Sequence, residues 1–266
     1  MRLDIMENEI RMGVAPEPCA ALFACGIEAQ PRVVLVRAEA ETLAQGLAEG
    51  SIDCALIPPL AAFRIPFCRL VPGQGVCAEL KTQSERLIAR EPQRSLTRLQ
   101  VAPSARAMID WARLLLAEES GFLMEWGEYE GGPSDDLPSG TGLLLGGAEG
   151  LGYSGTESSA HDLGTMWRES TGLPAVLRVW ACRFRAPYPG IRACLWRARQ
   201  HGEDHFDACV KQSAETFGIP DALLRDYLAQ TLSYSVGSLE ADSLRHLVAM
   251  AHRHGLFPEP PGLQFC

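Results

Sequence analysis

The 22 residues from His161 to Cys182, HDLGTMWRESTGLPAVLRVWAC, limit what this chain can fold into more than any other segment. A helical pattern opens at Asp162, a residue type that caps helix N-termini, and carries the aromatic Trp167 toward a core. It stops at Thr171-Gly172, where glycine can adopt the left-handed C-cap conformation, and Pro174 forbids continuation. The near-continuous apolar run Ala175 to Ala181 follows at once. A helix delivered directly into a strand apolar on both faces is the mark of an α/β protein.

A chain of 266 residues with 47% hydrophobic and 21% charged residues can bury one large core or two smaller ones. Its net charge of −9 is spread without clustered Lys and Arg, which argues against a nucleic-acid partner. The opening residues MRLDIMENEIRMG lack a basic segment followed by an apolar stretch, and no apolar run approaches the ~20 residues that span a bilayer. A cytoplasmic protein with no membrane partner is expected.

Along the chain, Ile10 to Ala15 reads as a strand, Ala20 to Cys25 as a helix stopped by Gly26, and Arg32 to Arg37 as a second strand. Glu39 to Glu49 reads as a helix closed by Gly50, and Ile52 to Ile57 as a third strand. Phe67 to Pro72 and Gly75 to Lys81 are two further strand candidates, with a crossing into another lobe near Thr82. Residues 83 to 98 are charged and polar. Leu99 to Ala102 then reads as a strand, Ala105 to Ala117 as a helix, Phe122 to Trp126 as a strand, 127 to 140 as a loop and Gly142 to Leu145 as a strand. From Ile191 the pattern is helical: Ile191 to Gly202, His205 to Phe217, Asp221 to Leu232 with Asp221 as N-cap, and Ser238 to His254. The tail Pro258 to Cys266 reads as irregular.

Nine cysteines without a CxxC pair, and six histidines without an HExxH arrangement, give no metal-site pattern, so no metal is expected. Most of these thiols read as small buried hydrophobes. The glycines of Gly140 to Gly152 fit neither phosphate-loop spacing and read as a cleft-edge loop. Ser154, Ser158 and His161 lack the G-x-S-x-G elbow that a hydrolase of that type needs.

The segment Asp162 to Val176 resembles the DLG-x-x-W-x-x-x-TGLP-[FA]-V signature of the menaquinone-biosynthesis family that includes chorismate dehydratase. Leu47 to Pro58 resembles a ligand-binding lobe of periplasmic-binding-protein architecture, and YLAQTLSYSVGSLEADSLRHLVAMAHRHGL resembles the family's closing pattern. The resemblance covers about residues 10 to 257 and implies an α/β fold with two lobes around a cleft, of the type II periplasmic-binding-protein kind, with C-terminal helices. Residues 1–82 and 183–266 would form one lobe and 83–182, including the return strand, the other. The implied activity is a carbon–oxygen lyase that removes water from chorismate to give 3-[(1-carboxyvinyl)oxy]benzoate, with no cofactor.

The polar positions depart from the family. Pro16, Glu17, Pro18 and Cys19 stand where its first loop reads like N-Y-L-N, and of an S-R-T-S motif only Arg106 survives among Ala105, Ala107 and Met108, with Ser104 one place upstream. Ile57 to Ala61 replaces V-P-S-x-E, Leu144 to Ala148 lacks the family's Asp, and Cys77 and Thr82 stand where serines are common. By this resemblance the substrate-binding candidates are Arg106, Ser104, Cys77, Thr82 and Gly147. A small anionic substrate, chorismate or a similar carboxylate, needs a cation such as Arg106, whose fork can grip a carboxylate at a helix entrance. Glu17 or Cys19 could serve as general base, or the substrate's own carboxylate could take the proton. A divergent lyase and a non-catalytic cytoplasmic small-carboxylate binder on the same scaffold are the competing readings.

Overall fold

The computed structural model describes residues 9–131, 137–155 and 160–266. Two sheets divide the chain. The first has six strands in the order β11-β4-β10-β3-β1-β2: β1 (Ile10–Val14), β2 (Val33–Arg37), β3 (Cys54–Ile57), β4 (Arg69–Ala78), β10 (Ala175–Cys182) and β11 (Leu232–Ser233). Strand β1 lies parallel to both β2 and β3, whereas β10 runs antiparallel to β3 and β4. The second has five strands in the order β7-β6-β8-β5-β9: β5 (Arg86–Ile88), β6 (Arg98–Val101), β7 (Glu125–Glu128), β8 (Thr141–Leu145) and β9 (Ala160–Asp162).

Strand β10 corrects the expected division of the chain. It was assigned with 83–182 to the second lobe, but it sits between β3 and β4 in the first sheet, with all eight residues buried. Its apolar run can satisfy both faces only in a sheet interior, and the first sheet offers that place.

The helix ahead of it forms as expected. In α6 (Leu163–Thr171) the Asp162 carboxylate accepts from the N–H groups of Gly164 and Thr165, and Gly172 closes the helix at φ 72°. Asp162 does more than cap. It also accepts from the N–H of Thr82 at 2.8 Å and of Gln83 at 2.7 Å, and from the Thr82 hydroxyl at 3.2 Å. One carboxylate thereby clasps both connections between the sheets, the outgoing one at Thr82–Gln83 and the returning one at α6.

Helices α1 (Ala21–Glu28) and α2 (Ala40–Glu49) connect the first strands, and α3 (Pro59–Phe63), α4 (Ile109–Ser120) and α5 (Gly147–Leu151) precede or follow the strand ends. The C-terminal set is α7 (Tyr188–Asp204), α8 (Phe206–Phe217), α9 (Asp221–Asp226) and α10 (Ser238–Arg253). Gly26 does not stop α1 as expected. It lies inside the helix where α7 crosses, and a Cβ there would stand 1.9 Å from the Ala198 carbonyl oxygen. Gly202 answers it from α7, 2.6 Å from the Leu22 carbonyl oxygen on the same measure.

Other boundaries moved for identifiable reasons. The two strands expected over Phe67–Lys81 are one strand, β4, broken in register with β10 around Pro72 and Gly73, where proline has no N–H to give and Gly73 takes φ 83°. Pro220, not Asp221, is the N-cap of α9, which ends at Asp226. A wide π turn, Tyr227–Thr231, then leads into β11. The helix expected from Ala105 begins as a 3-10 turn, Pro103–Met108, and continues as α4. The segment read as polar, 83–98, holds β5, an interior strand of the second sheet between β8 and β9. Gly140–Gly152 is not a loop but β8 and α5, and β7 begins at Glu125, three residues beyond Phe122. Ser158 and residues 132–136 of the expected 127–140 loop lie outside the described residues. Among the described residues no helix is long and apolar enough to cross a membrane.

Two glycine substitutions separate close packing from backbone freedom. Gly26→Ala forces α1 from α7 and is expected to cost roughly 1–3 kcal/mol. Gly172→Ala meets nothing within 4 Å and carries only the left-handed conformational penalty, about 1 kcal/mol. Thermal melting of the two variants should therefore show the larger fall for Gly26→Ala, and the reverse order would refute the packing account.

Candidate functional site

A cleft of about 540 Å³ opens where the ends of β1, β6 and β8 face one another across the two sheets. Pro16, Glu17 and Pro18 line it from the first sheet, Ser104, Arg106 and Gly147 from the second, with Glu39 and Glu41 on the rim. Its size lies within the range of small-molecule sites. An adjoining hollow of about 360 Å³ shares Arg106 and Ala107 and is walled by Pro58, Leu60 and Ala61. All four loops whose polar residues depart from the family pattern therefore meet here.

Four of the seven residues singled out from the sequence line this one cleft. The Arg106 side chain is half exposed and pairs with Glu128 at the end of β7. It stands in the 3-10 turn ahead of α4 rather than in the first turn of the α-helix itself. The Ser104 hydroxyl donates to Glu149 at 2.7 Å and accepts from the N–H of Gly146 at 3.3 Å. Gly147 takes φ 54°, and a Cβ there would lie at ordinary van der Waals distance, 3.7 Å, from Pro18, so the two residues face each other across the cleft.

Glu17 closes the base of the cleft. Its Oε2 accepts from Arg178 Nε at 2.7 Å and lies 2.6 Å from Arg178 Nη2. The Arg178 side chain, on β10, is 3% exposed, and its Nη1 donates to the Leu177 carbonyl at 2.8 Å and meets Met108 Sδ at 2.9 Å. Burial works against its charge, but Glu17 holds the guanidinium protonated.

Three candidates do not reach the cleft. Cys19 is 4% exposed and donates its thiol to Glu17 Oε2 at 3.5 Å. Burial, with the Glu17 and Glu85 carboxyls behind it, raises that thiol well above its usual value despite Arg178, so it is no base at neutral pH. Cys77 lies on β4 among the apolar side chains of Leu43, Ile57 and Val179, and burial raises its thiol too. Thr82 is fully buried at the crossing, where its hydroxyl serves Asp162 and the Glu85 backbone. Its role is to hold the joint.

Sequence reasoning passed over Arg178 and Glu85. Arg178 was hidden in a run read as apolar, yet a lone arginine in a strand buried on both faces requires an acidic partner. That signal was present at the outset. Glu85 is 2% exposed, with its Oε1 3.9 Å from Arg178 Nη2. Burial, then Glu17 and Asp162, pushes its carboxyl up to about 8 against the pull of Arg178. Ser84 beside it exchanges a hydrogen bond with the buried Tyr227 phenol at 2.9 Å. Among the described residues no group of three or more His, Cys, Asp or Glu is arranged to hold a metal ion.

The fold is that of two-lobed binding proteins. Protein AF1704 from Archaeoglobus fulgidus, 15% identical, superposes with a TM-score of 0.73 over 93% of this chain and 98% of its own. The alkanesulfonate-binding protein SsuA from Xanthomonas axonopodis pv. citri, bound to MOPS, is 15% identical with a TM-score of 0.66 over 96% of each chain. The periplasmic nitrate-binding protein NrtA from Synechocystis PCC 6803 is 12% identical with a TM-score of 0.56, covering 94% of this chain and 82% of that one. The architecture is accordingly α/β and periplasmic-binding-protein-like. No curated protein matches the chain by sequence. The family described as Menaquinone biosynthesis matches residues 10–253, nearly the whole length, and the chain belongs to that family.

Proposed function

We propose that this chain is a lyase of the chorismate-dehydratase type, eliminating water from chorismate to give 3-[(1-carboxyvinyl)oxy]benzoate in menaquinone biosynthesis. The observation that carries the reading is the convergence of Glu17, Ser104, Arg106 and Gly147 on one interlobe cleft of about 540 Å³. Family membership supports the pathway and a small-molecule ligand.

In this reading a substrate carboxylate takes Arg106 in exchange for Glu128, the fork donating to two oxygens at once. Ser104 and the backbone at Gly147 border the ring, with Pro18 facing Gly147 across the cleft. The ring C–H gives up its proton to Glu17 or to the substrate's own carboxylate, the electron pair forms the new double bond, and the neighbouring hydroxyl departs as water, taking up the proton that the carboxyl received. Aromatisation supplies the driving force, so orientation is the protein's main contribution.

One observation favours the second reading, a small-carboxylate binder without turnover: Glu17 is already engaged by Arg178 and by the Cys19 thiol. Incubation with chorismate, followed by absorbance and mass, separates the two. Formation of the aromatic product is expected, and binding without product would replace the lyase with the binder. Arg106→Ala should lower kcat/KM by roughly 10- to 100-fold, the worth of a charge-assisted contact, and an unchanged value would remove Arg106 from the site.

Activity lost at Glu17 has to be separated from stability. Glu17→Ala strands the Arg178 charge in a place closed to water and is expected to cost about 3–5 kcal/mol. The double variant Glu17→Ala/Arg178→Met removes both charges and should recover much of that loss in denaturant unfolding. A double variant no more stable than the single one would show that the ion pair is not the cause.

A further inference from the structure

Behind Glu17, ionisable groups from three separate segments meet at the closed joint between the sheets. Arg178 spends Nε and Nη2 on one Glu17 oxygen and Nη1 on Leu177 and Met108. Glu85 faces what remains of the fork, with Oε1 3.9 Å from Nη2, beyond hydrogen-bonding distance. Its Oε2 is buried and has no hydrogen-bond partner among the described residues.

The other groups facing Glu85 offer it no positive charge. Glu17 and Asp162 both act on it as negative neighbours. The Cys19 thiol and the Tyr227 phenol are also within its field, and burial keeps both protonated. Asp162 is itself saturated by four backbone N–H groups and the Thr82 hydroxyl. A second full carboxylate at this joint would press against the first with one guanidinium between them.

We propose that Arg178 and Glu85 are positioning residues for Glu17: Glu85 carries a proton, so the single guanidinium serves Glu17 alone and fixes its carboxylate in the cleft wall. Loss of that proton makes two acids compete for one fork. Glu17 then loses its fixed seat, and the joint over it loosens. The catalytic meaning of this arrangement rests on the cleft being the ligand site; the charge arrangement does not.

The test is carboxyl NMR of protein labelled with 13C in glutamate, titrated from about pH 5 to about pH 10, with thermal melting at each pH. Wild type is compared with Glu85→Gln. One carboxyl is expected to titrate near the value of about 8 raised by burial, and to vanish in Glu85→Gln. The Glu17 signal should move in the same step in wild type only.

The folded chain binds the Glu85 proton more tightly than the unfolded chain does, so stability falls as pH rises from the ordinary glutamate range through about 8 and then levels off. Glu85→Gln should lack that fall. Arg178→Lys, which keeps the charge and gives up the fork, should displace the Glu17 signal at every pH. Absence of a carboxyl titrating near 8, or coincident melting profiles for wild type and Glu85→Gln, overturns the proposal. Neither readout uses chorismate: an inactive protein that shows both steps loses the lyase assignment and keeps this one, and an active protein without them does the reverse.

Discussion

One guanidinium seated where the two sheets close on each other sets the terms for what surrounds it. Arg178 reaches the joint from a strand whose eight residues are all buried, so its charge has no route to water. Its counter-ion therefore has to reach it inside the joint, and Glu17, in the loop after β1 of the same sheet, supplies it. The thiol of Cys19 turned toward Glu17 and the sulfur of Met108 at the fork complete the surroundings of that pair.

This arrangement also accounts for the way the chain departs from its family. The first loop carries a proline and a thiol where amides are expected, with the Glu17 carboxyl between them, and the turn before α4 keeps an arginine but lacks the hydroxyls expected around it. Amides and hydroxyls address a ligand directly. Here the polar groups deepest in the joint address one another, while Arg106 and Ser104, which line the cleft, have partners of their own. Under the function proposed above, a substrate carboxylate exchanges places with an existing neutraliser instead of filling a vacant charge, which favours selectivity over affinity.

Much of the scaffold was legible because its signals are local. The cap at Asp162, the glycine at 172, Pro174 and the apolar strand after them lie within one stretch of sequence, and each has a stereochemical cause. What escaped notice is non-local. Gly26 reads as a stop until α7 lies across it, and β5 is only three residues long, too short for periodicity to reveal. Glu85 looks like one more acid in a polar segment, because its isolation from solvent is imposed by residues far away in sequence. The cleft residues were found through family likeness, since nothing in the spacing of Glu17, Ser104, Arg106 and Gly147 brings them together.

The position of β10 bears on how such a chain is made. The first sheet needs this strand between β3 and β4, yet it is synthesised only after the whole second sheet has emerged. Until then β3 and β4 each present an open edge to whatever is nearby, while the inserted sheet already has every strand it requires. The order of emergence from the ribosome thus favours the inserted half as the first to mature, and leaves the half that begins the chain in greatest need of protection from aggregation.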